Sequence, residues 1–396
     1  MRFIGYFLIS FILVGCQPNK DKIIEAKETI NIPKTIKINI EDLIEEFDTI
    51  RLEASHYSLL SNIRQIRILN NKLYITDDTK SFVFIYTLNG KYISKICNQG
   101  EGPNEYIKIA SIETNPYTKQ LLLTDNFSRK LFEYDENGNI KHITKLEFFP
   151  TYFTSDKHGE YVHLSSGPHI TSLKGEDLNR NNVIYINRKG NITKALLTDE
   201  TPHRIDITST SCGYTNEGEL LFMPILSNII YSISNNGSIA EYHLPPTEQK
   251  LMSKKDKEDI FFEYKINGIH TNLTDFEKED FLISCGSFLK SDSLLIVNFG
   301  YDNISRMFYS IKREKAFTIR TKEMSGNKGL CEIFSNFPKA IIDDTIYISV
   351  QPEQMEYVTP LLPEGKLKTF FENFTEDDNP CIIAYRINKK LFKEYK

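Results

Sequence analysis

The stretch Leu73-Tyr74-Ile75-Thr76-Asp77-Asp78-Thr79-Lys80-Ser81-Phe82-Val83-Phe84-Ile85-Tyr86-Thr87-Leu88-Asn89-Gly90-Lys91-Tyr92-Ile93 decides the fold. It holds an apolar run, a Thr-Asp stop, a second run of aromatic and β-branched residues, an Asn-Gly turn and a third run. Such runs fit a pleated, mostly buried surface. Asn89-Gly90 supplies a two-residue turn because both residues tolerate positive φ. Lys91 to Ile96 alternates polar and apolar, as a half-exposed outer strand does. With Ile63 to Leu69 in front, the unit is a four-stranded antiparallel meander.

Looser copies of this unit follow. Leu121-Leu122-Leu123-Thr124-Asp125 repeats the first run, Lys130 to Tyr134 the second and Asn137-Gly138 the turn. Further copies hold Tyr161 to Leu164 with Val183 to Ile186, Leu220 to Met223 with Ile229 to Ile233, Leu294 to Val297 with Met307 to Ile311, and Ile346 to Val350 with Cys381 to Tyr385. The second strands begin at Leu73, Leu121, Tyr161, Leu220, Leu294 and Ile346, with spacings of 48, 40, 59, 74 and 52 residues. Without insertions these approach the roughly 40–50 residues of a propeller blade. Residues 246–281 and 352–379 read as insertions, with helical character at Lys254 to Tyr264 and Leu367 to Phe374. The sixth copy lacks its outermost strand, and Phe47 to Leu52 is free to supply it. The expected fold is all-β: a six-bladed β-propeller of four-stranded antiparallel blades with short helical insertions.

The chain has 396 residues, 40% hydrophobic and 26% charged, with 26 Phe, 21 Tyr and no Trp. Arg2 and the twelve-residue apolar region Phe3 to Val14 read as a signal peptide, the region being too short to span a bilayer. Leu13-Val14-Gly15-Cys16 resembles the lipobox of bacterial lipoproteins. That resemblance implies cleavage before Cys16, whose thiol and new amine then carry acyl chains such as palmitate. Each buried CH₂ of such an anchor contributes about 0.8 kcal/mol. Gln17 after the cysteine favours the outer membrane, on its periplasmic or cell-surface side. The expected organisation is a signal peptide over 1–15, a flexible tether over 16–34 and the propeller over 35–396.

Loss of Arg2 takes the formal charge from −5 to −6, which gives no electrostatic case for nucleic acid. Five cysteines remain after Cys16, none in C-x-x-C spacing, so at least one thiol stays free. Cys212 and Cys285 both sit in Ser-Cys-Gly, and pairing between them is left open.

Gly100-Glu101-Gly102-Pro103-Asn104-Glu105-Tyr106 resembles the G-x-G-P-x-E-Y segment of a six-bladed propeller family of Bacteroidota lipoproteins, described as TolB-like or NHL-like. Ile50-Arg51-Leu52-Glu53 and Asp377-Asp378-Asn379-Pro380 fit the same resemblance, which covers about residues 44–390. It implies the fold and the envelope location. The family mostly has no assigned activity.

No catalytic motif is present: no G-x-S-x-G and no H-E-x-x-H. His158, His163 and His169 cluster in sequence, but His158 and His163 would face opposite sides of a strand. Asp77, Asp125 and Asn126 end strands at equivalent places, where side chains cap turns. The expectation is therefore a non-enzymatic, membrane-tethered monomer that binds a ligand or a protein or glycan partner, with no cofactor and no metal. Arg64, Arg67, Gln99, Glu101 and Arg129, near blade junctions, are the candidate binding residues. The alternative is a metal-dependent lyase or hydrolase with its site in the central channel.

Overall fold

The computed structural model describes residues 23–394 except 78, 151, 166–180, 199–211, 260–268 and 376. Six antiparallel sheets form a six-bladed β-propeller. Blades 1 to 5 are four-stranded meanders in chain order, at 63–96, 111–145, 152–198, 212–243 and 284–320. The second strands begin at Lys72, Gln120, Tyr161, Leu220, Leu294 and Thr345, each within one residue of its expected position. The inner strands are buried on both faces, as at Lys130–Tyr134, whereas outer strands such as Tyr92–Ile96 alternate.

Blade 6 closes the ring. Its three C-terminal strands, Ala340–Ile342, Thr345–Val350 and Cys381–Ile387, take Ile44–Ile50 as their outermost member. Phe47 lies opposite Tyr385 and Ile50 opposite Ile382. Closure ties the N-terminal chain to the last blade and completes its four strands, so the ring is held shut by backbone pairing. The segments singled out as family-like meet at this seam. The Arg51 guanidinium donates to both oxygens of Asp378, at 3.2 and 2.7 Å. Asn379, fully buried, donates to the carbonyls of Glu53 and Ser58 and accepts from the Leu60 amide at 2.7 Å. The Asn89-Gly90 turn also packs here. Gly90 has φ +84°, and a Cβ on it would lie 2.0 Å from the Arg51 carbonyl oxygen.

The core is divided among the blade interfaces. One cluster joins Tyr74 and Ile85 of blade 1 to Leu121 and Phe132 of blade 2, and another joins Ile296 and Phe308 of blade 5 to Ile348 and Ile383 of blade 6. Each blade thus buries its faces against its neighbours, which is why no copy is stable alone.

The expected flexible tether is corrected from Ile23 onward. Ile23–Thr29 adds a parallel fifth strand to blade 4, and Thr35–Ile36 does the same to blade 5. Lys27 reaches Glu219 at 3.0 Å, and the Tyr309 hydroxyl donates to Glu28 at 2.6 Å. The outer strands of these blades present unpaired backbone groups, and the N-terminal chain satisfies them. Residue 16 and the signal segment lie outside the described residues.

Helices occur where the insertions were expected, at residues 254–259, Ile269–Lys278, Pro352–Val358 and Lys366–Glu372. A further helix, Lys328–Phe334, carries the crossing from blade 5 to blade 6. Arg306, 1% exposed, anchors it by donating to the carbonyls of Phe334, Ser335 and Asn336, beyond the helix C-terminus where a cation is favoured.

Candidate functional site: the ring axis

The first strands of neighbouring blades pack on one another and so surround the axis. Their connections give the ring two unlike faces. Turns joining first to second and third to fourth strands are short and lie on one face. The crossings between blades and the second-to-third connections lie on the other, which carries both insertions.

A cavity of about 1010 Å³ runs along the axis. Its wall comes from the inner strands Ile63–Leu69, Ser111–Asn115, Cys212–Tyr214, Ser284–Lys290 and Ala340–Ile342. Leu273, Ile283, Phe288 and Phe337 make much of it apolar. The charged lining residues are Arg64, Arg67, Lys119, Lys290 and Lys339 against Glu113 and Asp292, a surplus of three positive charges. Such an amphipathic wall is what a small-molecule site uses: apolar surface for affinity and a few polar groups for orientation.

Four blades contribute to one polar chain, which reaches this wall at Arg67, Glu113 and Cys212. Arg67 of blade 1 donates from Nε to Glu113 Oε2 of blade 2 at 2.8 Å. The Tyr152 hydroxyl of blade 3 donates to the same carboxylate oxygen. It also lies 3.4 Å from Cys212 Sγ of blade 4. Burial works against the Arg67 charge, but Glu113 with Tyr152 and Cys212 together outweigh it and hold the guanidinium cationic. Burial, reinforced by Glu113, pushes the Cys212 thiol up to about 12, so it remains protonated and unreactive near neutrality. Tyr152 is raised in the same way. Cys212 is a free thiol, so it is not paired with Cys285.

Lys290 of blade 5 donates to Asn216 Oδ1 at 3.3 Å and to the Ser291 carbonyl at 3.1 Å. Burial lowers its pKa, against the pull of Asp292 and Glu217. Lys339 of blade 6 donates to the Arg64 carbonyl, and Arg64 holds the carbonyls of Ile109 and Ala110 at 3.1 and 2.9 Å. These contacts set the cationic groups on backbone anchors at defined heights along the axis.

The five sequence candidates separate. Arg64 and Arg67 line the cavity. Gln99, Glu101 and Arg129 do not; they stand on connections at the insertion face. Gln99 donates to the Ile107 carbonyl, and the Arg129 guanidinium stacks 4.1 Å from the Phe149 ring. The Gly100–Tyr106 segment locks the crossing from blade 1 to blade 2. Gly102 donates to Glu105 Oε2 at 2.8 Å, buried Tyr106 donates to the Ile96 carbonyl, and Lys130 Nζ reaches the carbonyls of Gly102 and Glu105. A Cβ on Gly100 would meet the Glu105 carboxylate at 2.0 Å.

Asp77 and Asp125 cap turns as expected. Asp77 accepts from the amides of Ser61, Thr79 and Lys80, and Asp125 from those of Ile107 and Phe127. His163 is buried against Phe148 and Phe153, whereas His158 sits in a turn with its amide on Asp156. His169 lies outside the described residues. Among the described residues no three His, Cys, Asp or Glu side chains come together to hold a metal ion. None of the described helices is long and apolar enough to cross a membrane.

Sequence reading missed Glu113, Tyr152, Cys212, Lys290 and Lys339. Their signal was a polar residue in, or beside, the first strand of a copy, whereas Arg64 and Arg67 were singled out for lying near a blade junction.

A family model, the domain of unknown function DUF4934, matches residues 21–386. No curated protein matches the chain. Among solved structures, a proposed exported protein of Bacteroides fragilis aligns at a TM-score of 0.75 with 16% identity, covering 91% of this chain and 100% of its own. A Bacteroides vulgatus member of the duf4221 family aligns at 0.51 with 13% identity, covering 87% and 97%. At these identities the likeness is one of fold.

Proposed function

The chain belongs to the family of the domain of unknown function DUF4934, whose name carries no activity, and from the ring axis we propose that it is a binding protein of the cell envelope. Its axial cavity takes a small organic anion: a carboxylate- or phosphate-bearing molecule with apolar surface, such as the end of an acidic glycan or peptide. The observation that carries this reading is the cavity wall, where five cations face two carboxylates around an apolar lining. Binding rather than catalysis is favoured because Cys212, the thiol on the wall among the described side chains, is pushed up to about 12 and is not a nucleophile near neutral pH. The chain acts as a monomer attached to the outer membrane through acyl chains on Cys16. Support for the anchor is Leu13-Val14-Gly15-Cys16 itself, together with the exported designation of the Bacteroides fragilis protein of like fold.

The test is equilibrium binding of an amphipathic anionic probe, 8-anilinonaphthalene-1-sulfonate, to the folded protein. One probe should bind per chain, and Lys290→Met should weaken binding about tenfold, the worth of one partly buried charge-assisted contact. Affinity should fall as pH rises, beginning below the range of an ordinary lysine, because burial lowers the Lys290 pKa. Equal binding by the variant would refute an anion site at the axis. Stoichiometric zinc or calcium in protein purified from its host would instead favour the lyase or hydrolase alternative.

A further inference from the structure

The two faces of the ring differ in charge as well as in the length of their connections. On the turn face, the short connections and residues 388–390 carry eight exposed lysines and arginines against four exposed carboxylates. Arg188, Lys189, Lys312, Arg313, Lys389 and Lys390 are among the eight. On the insertion face, the described connections carry nine exposed cations against sixteen exposed carboxylates. Residues 352–379 alone contain seven acidic residues and two lysines.

The N-terminal strand meets the ring on the turn face. Ile23 lies opposite Ile239, which follows the Asn236-Gly237 turn of blade 4. From there the strand runs parallel to Ile239–His243, toward the insertion face, and Lys27 with Glu219 and Glu28 with Tyr309 hold it in place. The chain therefore leaves the propeller at a fixed point beside the basic turns. Seven residue steps separate Cys16 from Ile23, a reach of roughly 25 Å at full extension. The outer strand of blade 4 is about 17 Å long, and the insertions stand beyond its far end. On that leash the turn face, where the strand begins, lies nearer the bilayer than the insertion face at the strand's far end.

We propose that the turn face is a lipid-facing surface: it lies against an anionic membrane, and the acidic insertion face points away from it. The inference rests on the acyl anchor at Cys16 proposed above. Basic side chains near an anionic leaflet are attracted to it, and acidic ones are repelled, so the charge difference and the exit point favour one orientation. The end of the axial cavity at Arg64, Phe337 and Lys339 then faces the aqueous side, where a soluble ligand arrives, and the end at Tyr117, Lys119 and Asp292 faces the bilayer.

The chain contains no Trp, so a single introduced tryptophan reports its own position. Lipidated full-length Tyr117→Trp, on the turn face, and Tyr357→Trp, on an insertion helix, are each placed on phosphatidylglycerol vesicles doped with a dansyl-labelled lipid. Both native residues are exposed, at 43% and 55%. Asn236→Trp serves as a second turn-face probe should Tyr117→Trp fold poorly. The expected result is flotation with the vesicles and energy transfer several-fold larger for the turn-face probes than for Tyr357→Trp. Flotation with equal or reversed transfer overturns the orientation and leaves the anchor standing. Failure to float overturns the anchor, and the orientation with it.

Discussion

Asn379 should hold the ring shut more firmly than the ion pair beside it. Its side chain is fully buried and makes four hydrogen bonds, to Leu60, Glu53, Ser58 and the Tyr86 hydroxyl. Asn379→Ala does not orphan all of these partners. The Ser58 carbonyl keeps the Tyr86 hydroxyl at 2.9 Å, and the Glu53 carbonyl keeps the Ser58 hydroxyl at 2.8 Å. The Leu60 amide loses the one acceptor seen for it. An orphaned buried amide costs about 1–3 kcal/mol, and each replaced bond about 1 kcal/mol, for a loss of roughly 3–5 kcal/mol. Arg51→Ala breaks a pair whose arginine is 44% exposed, worth about 1 kcal/mol at most. Asn379→Asp keeps an acceptor for Leu60 but turns a carboxylate oxygen toward two carbonyls. Its deficit should be at least that of alanine at pH 7 and should shrink on acidification. Burial without a cation raises the folded-state pKa of the introduced group, and protonation restores a donor. Urea unfolding followed by circular dichroism measures all three variants. The reasoning is refuted if Asn379→Ala stays within about 1 kcal/mol of the native protein, or if Arg51→Ala proves the costlier change.

Arg67→Met leaves Glu113 buried without its cation and should cost about 3–5 kcal/mol, whereas Arg67→Met with Glu113→Leu should recover most of it; a double-mutant cycle in urea gives the coupling. Arg306→Met strips the donor from three carbonyls after the 328–334 helix and should cost about 2–4 kcal/mol by thermal melting, with Arg306→Lys only partly restoring it because one ammonium does not span all three. Burial alone would raise the pKa of Asp77 and of Asp378; amide and hydroxyl donors at Asp77, and Arg51 with Thr375 at Asp378, outweigh it and lower both. Their stabilisation is therefore present above the ordinary aspartate pKa and lost as pH falls through the folded values, so Asp77→Asn should flatten the acid limb of a stability-against-pH curve below about pH 4. At pH 8 an aromatic disulfide reagent should label exposed Cys97 quickly and Cys212 only after unfolding, since burial pushes the latter up to about 12.

The sequence by itself determined the repeat. Strand-forming runs, Thr-Asp stops and Asn-Gly turns are local signals, and they located every second strand to within one residue. They also implied the closing strand near Phe47, because one copy was a strand short. The pairing of Arg51 with Asp378 across more than three hundred residues could only be suspected from two motifs of one family. The tertiary structure decided the rest. Ile23–Thr29 reads as a polar leader because a strand added to an edge needs only backbone groups, and its side chains carry little pattern. The axial site is assembled from the first strands of five blades, with Tyr152 of blade 3 bonded to Glu113 of its wall. Glu113, Tyr152, Cys212 and Lys290 are far apart in the chain and unremarkable within their own copies. Ring closure brings them to a common axis, where burial and mutual charge give them properties that none has alone.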